Sequence, residues 1–174
     1  QSKAAAMSNS VDGLIQSVRA TAAALRPGVL DDLGLAAAIE WLVGSFRERK
    51  GLPCELAIDP VIRETVFLSD LATTVFRSAQ ELLTNVMRHA QASTVSVLLT
   101  ARDGQLHLMI HDDGRGIQPK EWERGRSLGL RGLHERVRLM GGQVTVTGSA
   151  ESGTEVSLSL PMKSDVEPST KERT

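Results

Sequence analysis

Apolar positions recur along this chain in two periods. Leu14, Ile15, Val18, Ala22 and Leu25 fall on one face of a helix predicted from about Val11 to Leu25 and broken at Arg26-Pro27-Gly28. Leu35, Ala38, Ile39, Leu42 and Phe46 repeat that spacing and predict a second helix from about Leu33 to Lys50, with Gly51 as its stop. A longer helix is expected from about Ser69, placed as its N-cap, to Ala90, and another from about Leu130 to Met140, stopped by Gly141-Gly142. Elsewhere the period falls to two. Pro53 to Asp59, Thr94 to Thr100, Gln105 to His111, Gln143 to Thr147 and Thr154 to Leu160 read as strands. Asp103-Gly104 is a hairpin signal, and Ser149 to Gly153 reads as a turn. A polar connection is expected between Asp59 and Ser69. Residues 113 to 128 are glycine-rich, charged and aperiodic, which predicts a mobile loop; beyond Pro161 the polar tail predicts disorder.

This order of elements predicts an α+β fold: a two-layer α/β sandwich in which helices cover one side of a mixed, mostly antiparallel sheet, with an N-terminal helical stub. Residues 1–30 are expected to be a helix end and linker, 31–162 the main domain and 163–174 the tail, with the boundary near residues 28 to 33. At 174 residues and 18.7 kDa the chain is long enough for one domain with a real core.

Composition removes several functions. The formal net charge is −1, and with three Phe, two Trp and no Tyr there is neither a basic face nor an aromatic platform for nucleic acid or an anionic membrane. Cys54 stands alone, so a disulfide within the chain is excluded and a cysteine-based zinc site is not expected. No apolar run approaches the roughly 20 residues that span a bilayer, and the opening QSKAAAMSNS lacks a signal peptide's apolar segment. These features favour a cytoplasmic domain that touches no membrane. The mid-helix character of the opening suggests a piece of a longer protein, in which an anchor remains open.

Chemistry concentrates in four places. In ELLTNVMRHA, Glu81, Asn85 and His89 stand at i, i+4 and i+8, a polar stripe on a helix whose other side carries Leu82, Leu83, Val86 and Met87. Such a stripe is costly unless something occupies it. Magnesium takes oxygen ligands and keeps several waters; Asn85 supplies an amide oxygen, Glu81 can hold a metal-bound water or take a proton, and Arg88 and His89 extend the stripe toward phosphates. In HDDGRG, Asp112 ends the run Leu106, Leu108, Ile110 and faces inward with them, so it needs a donor such as the exocyclic amine of adenine. Gly114 and Gly116 allow close backbone approach. In GRSLGLRG, Gly129 and Gly132 lie where loop becomes helix, a place where free N–H groups bind anions, with Arg126 and Ser127 as further donors. Thr154, after Gly153, opens the last strand with a hydroxyl able to approach base or phosphates. Each motif alone has an ordinary structural reading: a solvated helix face, a turn, a loop and a strand start.

Together, in this order, the four motifs resemble the Bergerat-type ATP-binding fold shared by gyrase, Hsp90, MutL and histidine kinases. ELLTNVMRHAQAS, DDGRGI, SLGLRGLHERVRLMGG and SGTEVSLSLP are similar to the catalytic domain of sensor histidine kinases of the nitrate-sensor and DesK-like branch, and LRPGVLDDLGLAAAIEWL resembles the segment that joins their dimerisation helices to it. The resemblance spans roughly residues 14 to 162. It implies ATP and Mg2+ as cofactors, with Asn85 on magnesium, Glu81 as the acidic residue often proposed as a base, and Asp112 on adenine. Gly114, Gly116, Gly129, Leu130 and Gly132 would line the nucleotide, Arg88 and His89 match with less specific roles, and residues 117 to 128 would form a lid. It further implies a dimerisation helix that carries the phosphoacceptor, a homodimer in the full-length protein and a response regulator as partner. One departure stands out. His89, His107, His111 and His134 are the chain's only histidines. The pairs His111-Asp112 and His134-Glu135 imitate an acceptor but lie within nucleotide motifs, so His111 is expected to be an exposed strand residue and His134 helix surface. The acceptor helix is expected to be missing, with residues 11 to 25 the end of the second dimerisation helix. Two rivals are a Bergerat-fold serine kinase of the anti-sigma type, against which the LRPGVLDDLGL segment argues, and a non-catalytic nucleotide-binding module, against which Asn85 and Asp112 argue.

Overall fold

The computed structural model describes residues 28–117 and 128–162, with the side chains of residues 28, 29, 31 and 128 left out. The expected helix over residues 11–25, most of the expected lid and the tail after residue 162 lie outside the described residues.

Helix α1 spans Gly28–Lys50 and buries the expected stripe of Leu35, Ala38, Ile39, Leu42 and Phe46. It starts earlier than the spacing suggested and is broken in two at Gly34, whose φ of 80° is open to glycine at little cost. Gly51, at φ 61°, ends it as expected, and its N–H donates to the Arg47 carbonyl at 2.8 Å. Strand β1 (Cys54–Ile58) follows. The connection expected to be plain loop contains a short helix, α2 (Pro60–Glu64), which seats Ile62 in the core. Asp59 followed by Pro60 at the first helical position is the local signal for that start.

Helix α3 (Ser69–Asn85) carries a buried face that includes Val75, Phe76, Ala79, Leu82 and Leu83. Ser69 is not its cap: Leu68 occupies the cap position, and no side-chain hydrogen bond closes that end. The helix does not run to Ala90 as one α-helix either. Its last turn, Val86–Ala90, is a π-helical turn, closed by Gln91 in the left-handed conformation (φ 54°). Strands β2 (Val95–Arg102) and β3 (Gln105–Asp112) then form the expected hairpin, with Asp103 and Gly104 both at positive φ as a two-residue primed turn requires. Helix α4 (Leu128–Leu139) ends before Gly141, and β4 (Gln143–Ser149) and β5 (Gly153–Pro161) complete the domain.

The five strands lie in the order β1-β2-β3-β5-β4. Only the β1–β2 pair is parallel, so the sheet is mixed and mostly antiparallel. Register stacks aliphatic side chains in rows across it. Val97, Ile110, Val156 and Val146 form one row; Leu99, Leu108, Leu158 and Val144 form the next. These rows face the helices, and Leu99, Leu106, Leu108 and Leu160 have no exposed surface. The following row reads Cys54, Val95, Asp112, Thr154, Gly148. A carboxylate thus occupies a core-facing position at the end of an otherwise aliphatic face.

Leu108 sits on the central strand between Leu99 and Leu158. Leu108→Ala is expected to destabilise the domain by about 2–5 kcal/mol, as for other fully buried leucines; urea denaturation measures the loss.

Candidate functional site

The row that contains Asp112 and Thr154 faces the last turns of α3. Between them lies a cavity of about 290 Å³. Its walls are largely aliphatic, from Leu82 and Val86 on the helix, Ile110 and Val156 on the sheet, and Ile117 and Leu130. Polar groups enter at a few points: Asn85 and His89 from the helix end, Asp112 and Thr154 from the strands, and Arg115 and Gly116 from the loop after β3. An apolar cavity with a few polar groups suits a heteroaromatic ring bearing a polar tail.

His89 follows Asn85 by four residues, within the π turn, and both line the cavity. The Asn85 side-chain nitrogen is buried and has no hydrogen-bond partner. An orphaned amide is costly in a folded interior, so this group is held ready for something that enters the cavity. The oxygen of the same amide is a ligand type that magnesium accepts, and no cluster of three or more His, Cys, Asp or Glu side chains able to hold a metal occurs among the described residues.

Asp112 is 5 % exposed. Burial pushes its pKa up, against the opposing pull of the Gly114 N–H, the nearby His111 and the Thr154 N–H, and Asp113 adds a further push upward. The Gly114 N–H donates to Oδ1 at 3.0 Å. Its neighbour Asp113 behaves in the opposite way. The Ser93 hydroxyl and the Thr94 and Ser93 N–H groups donate to its carboxylate and hold its pKa far below the usual range.

The chain matches, over residues 71–164, the family described as histidine kinase-, DNA gyrase B-, and HSP90-like ATPase. The chain belongs to this ATPase family. Membership implies that it binds ATP. Its relatives include the signal transduction histidine-protein kinase/phosphatase UhpB of Salmonella typhimurium, 40% identical over 152 residues that cover 87% of this chain and 29% of the relative. The sensor histidine kinase MctS of Rhizobium johnstonii is 38% identical over 153 residues, 87% of this chain and 32% of that protein. The chain thus spans about a third of each curated relative's length. Among solved structures, the histidine kinase domain of a blue-light activated histidine kinase of Erythrobacter litoralis superposes with a TM-score of 0.67 at 24% identity, covering 79% of this chain and 70% of that one; it shares the fold. No described helix is long and apolar enough to cross a membrane.

Of the residues singled out from the sequence, the ATPase domain gathers Asn85, His89, Asp112, Gly116, Leu130 and Thr154 around one cavity. Others stand elsewhere. Glu81 does not line the cavity: its carboxylate lies against the first turn of α4, where a Cβ on Gly129 would come within 1.7 Å of Oε1. Gly129 therefore makes room for a protein side chain. Arg136, from the same helix, is partly buried beside Glu81 and is held by its charge. A Cβ at Gly132 would meet the Arg136 guanidinium at 3.3 Å. Gly114 lies outside the cavity lining, its Cβ direction blocked by the Ala90 carbonyl at 2.2 Å. Arg88 is exposed. Arg126 and Ser127 fall outside the described residues. His111 is half-exposed on the sheet and donates from Nε2 to the Ser152 carbonyl at 3.0 Å, and His134 is exposed on α4. Sequence reasoning missed Arg115 and Asp113. Both stood inside the DDGRG string, but nothing in their spacing separates a residue that faces the ligand from one that faces the backbone.

The sign of the Asp112 shift gives a test. A carboxyl whose folded pKa is raised is protonated more readily in the folded state, so it lowers stability at neutral pH and ceases to do so as pH falls through its folded pKa. Asp112→Asn removes that cost. Its melting temperature should exceed the parent's at neutral pH, with the gap shrinking on acidification. Thermal melts across pH 4 to 8 measure it; a gap that widened toward acid would contradict the burial argument.

Proposed function

We propose that the chain is the ATP-binding catalytic domain of a sensor histidine kinase, passing the γ-phosphoryl of Mg-ATP to a histidine on a dimerisation helix, from which a response regulator receives it. The observation that carries this reading is the convergence of Asn85 and Asp112 on one largely apolar cavity, with the Asn85 side-chain nitrogen buried and unpartnered. Similarity over 87% of the chain to two named sensor kinases supports the same reading. It also disfavours the anti-sigma type of serine kinase, because 152 aligned residues reach beyond the 94 residues of the ATPase match, 71–164. A homodimer of the full-length protein and a response regulator partner belong to this proposal.

The division of labour follows from placement. The apolar walls exclude water from the base and Asp112 accepts from adenine's amine. Asn85 supplies an oxygen to magnesium, and His89 stands beside it toward the phosphates. Magnesium held at Asn85 would supply positive charge to offset that of the phosphates. Glu81, one turn back along α3, is assigned the acid–base role on resemblance, and residues 117 to 128 the role of lid. Most of the rate enhancement then comes from positioning and charge stabilisation.

Two outcomes check the proposal. Asn85→Ala should lower Mg-ATP affinity by about tenfold or more while leaving the melting temperature within a few degrees, since no protein partner is lost; calorimetric titration with and without magnesium measures it, and equal affinities would remove the metal assignment. Incubated with γ-labelled ATP, the chain alone should take up no label. A separately supplied acceptor helix with its His-acid pair should acquire acid-labile phosphate in an Asn85-dependent manner. Acid-resistant label on serine would favour the serine-kinase reading instead.

A further inference from the structure

The loop after β3 does more than present Asp112. Three consecutive residues behind it hold the end of α3. The Asp113 carboxylate accepts from the Ser93 N–H at 2.7 Å, from the Thr94 N–H at 2.8 Å and from the Ser93 hydroxyl. The Asp113 N–H returns a longer bond to the Thr94 carbonyl, at 3.4 Å. Gly114 packs with its α-carbon directly on the Ala90 carbonyl. Arg115 donates its backbone N–H to that same carbonyl at 2.8 Å and its Nε to the His89 carbonyl at 2.9 Å.

All of these partners lie in the π turn or in the four residues that follow it. A π turn is rare and needs outside support for its last carbonyls. Two of those carbonyls are held from this loop, and a third, that of Met87, accepts from Lys50 Nζ at 3.3 Å. Asn85 caps the start of this turn and His89 lies within it.

We propose that Asp113 and Arg115 are positioning residues: they fix the π turn, and through it they aim Asn85 and His89 at the phosphate end of the site, while Asp112, the strand residue just before them, holds the base end. This rests on the reading of the cavity as an ATP site. Asp113 is the cleaner probe, because it is exposed, does not line the cavity and cannot touch the nucleotide from where it stands. Arg115 also lines the cavity, so its loss mixes positioning with contact.

The test splits the ligand in two. Mg-ATP needs both ends of the site; adenosine needs only the Asp112 end. Titrate each into the chain as it stands and into its Asp113→Ala and Asp113→Asn variants, by calorimetry for Mg-ATP and ligand-observed NMR for adenosine. Asp113→Ala should lower Mg-ATP affinity by about tenfold, equivalent to ~1.4 kcal/mol, and change adenosine affinity by less than about twofold. Asp113→Asn keeps an acceptor oxygen for the Ser93 and Thr94 N–H groups and should retain most of the Mg-ATP affinity. Equal losses for both ligands, or none for either, would overturn the inference, as would an Asn variant no better than the Ala variant. If Asp113→Ala does not fold, Asp113→Asn and Asp113→Ser carry the comparison, the serine expected to lose Mg-ATP affinity selectively. Should the unaltered chain bind neither ligand, the ATP reading itself is wrong and the inference falls with it; binding by the parent with no selective loss in the variants defeats the inference alone.

Discussion

The cavity depends on how α3 ends. Asn85 and His89 stand four residues apart, a spacing that keeps both on one face, and the stretch between and beyond them is wound as the π turn Val86–Ala90. That turn leaves backbone carbonyls to be satisfied from elsewhere, and three of them find donors on Lys50 and Arg115. The loop that supplies Arg115 begins directly after Asp112, the last residue of β3. The end of β3 and the end of the long helix are therefore tied together through a few hydrogen bonds to Ala90, His89, Ser93 and Thr94.

A second constraint is the carboxylate of Asp112 at the end of a sheet face whose neighbouring rows are aliphatic. Placing it there costs desolvation, which its raised pKa expresses. The adjacent Asp113 is exposed and saturated with donors, and its pKa moves the other way. Two neighbouring residues of the same type thus serve different ends: one is buried against the cavity, the other holds the backbone. Asn85 repeats the pattern, with its amide nitrogen buried and unpartnered. Stability sacrificed at a site in this way is the usual mark of a binding centre.

Much of this was legible in the sequence because it follows from period. Alternation in Leu106, Leu108 and Ile110 extends to Asp112 and predicts its inward face, which the structure bears out. The stripe of α1, the Asp103-Gly104 hairpin and the five strands follow in the same way. What period does not carry was missed. The break at Gly34 is a backbone event inside a continuous apolar stripe. Helix α2 is too short to show a period. The π turn keeps helical composition and changes only the winding. Gly129 is adjacent to Glu81 only through the packing of α4 on α3, so a glycine that reads as a phosphate contact turns out to accommodate a carboxylate. In each case the deciding partner lies far away in sequence or in the backbone.

Asp112 is the group on which the nucleotide reading turns, and base choice tests it most directly. Adenine presents an amine to that carboxylate; guanine presents a carbonyl oxygen at the same place. Losing a charge-assisted hydrogen bond costs about 1.5–3 kcal/mol, roughly 10- to 100-fold in affinity, before any repulsion is added. Parallel calorimetric titrations of this chain with Mg-ATP and Mg-GTP should give a preference for ATP of at least that size. Comparable binding of GTP would contradict the assignment of Asp112 to the base, and with it the orientation of the nucleotide in the cavity.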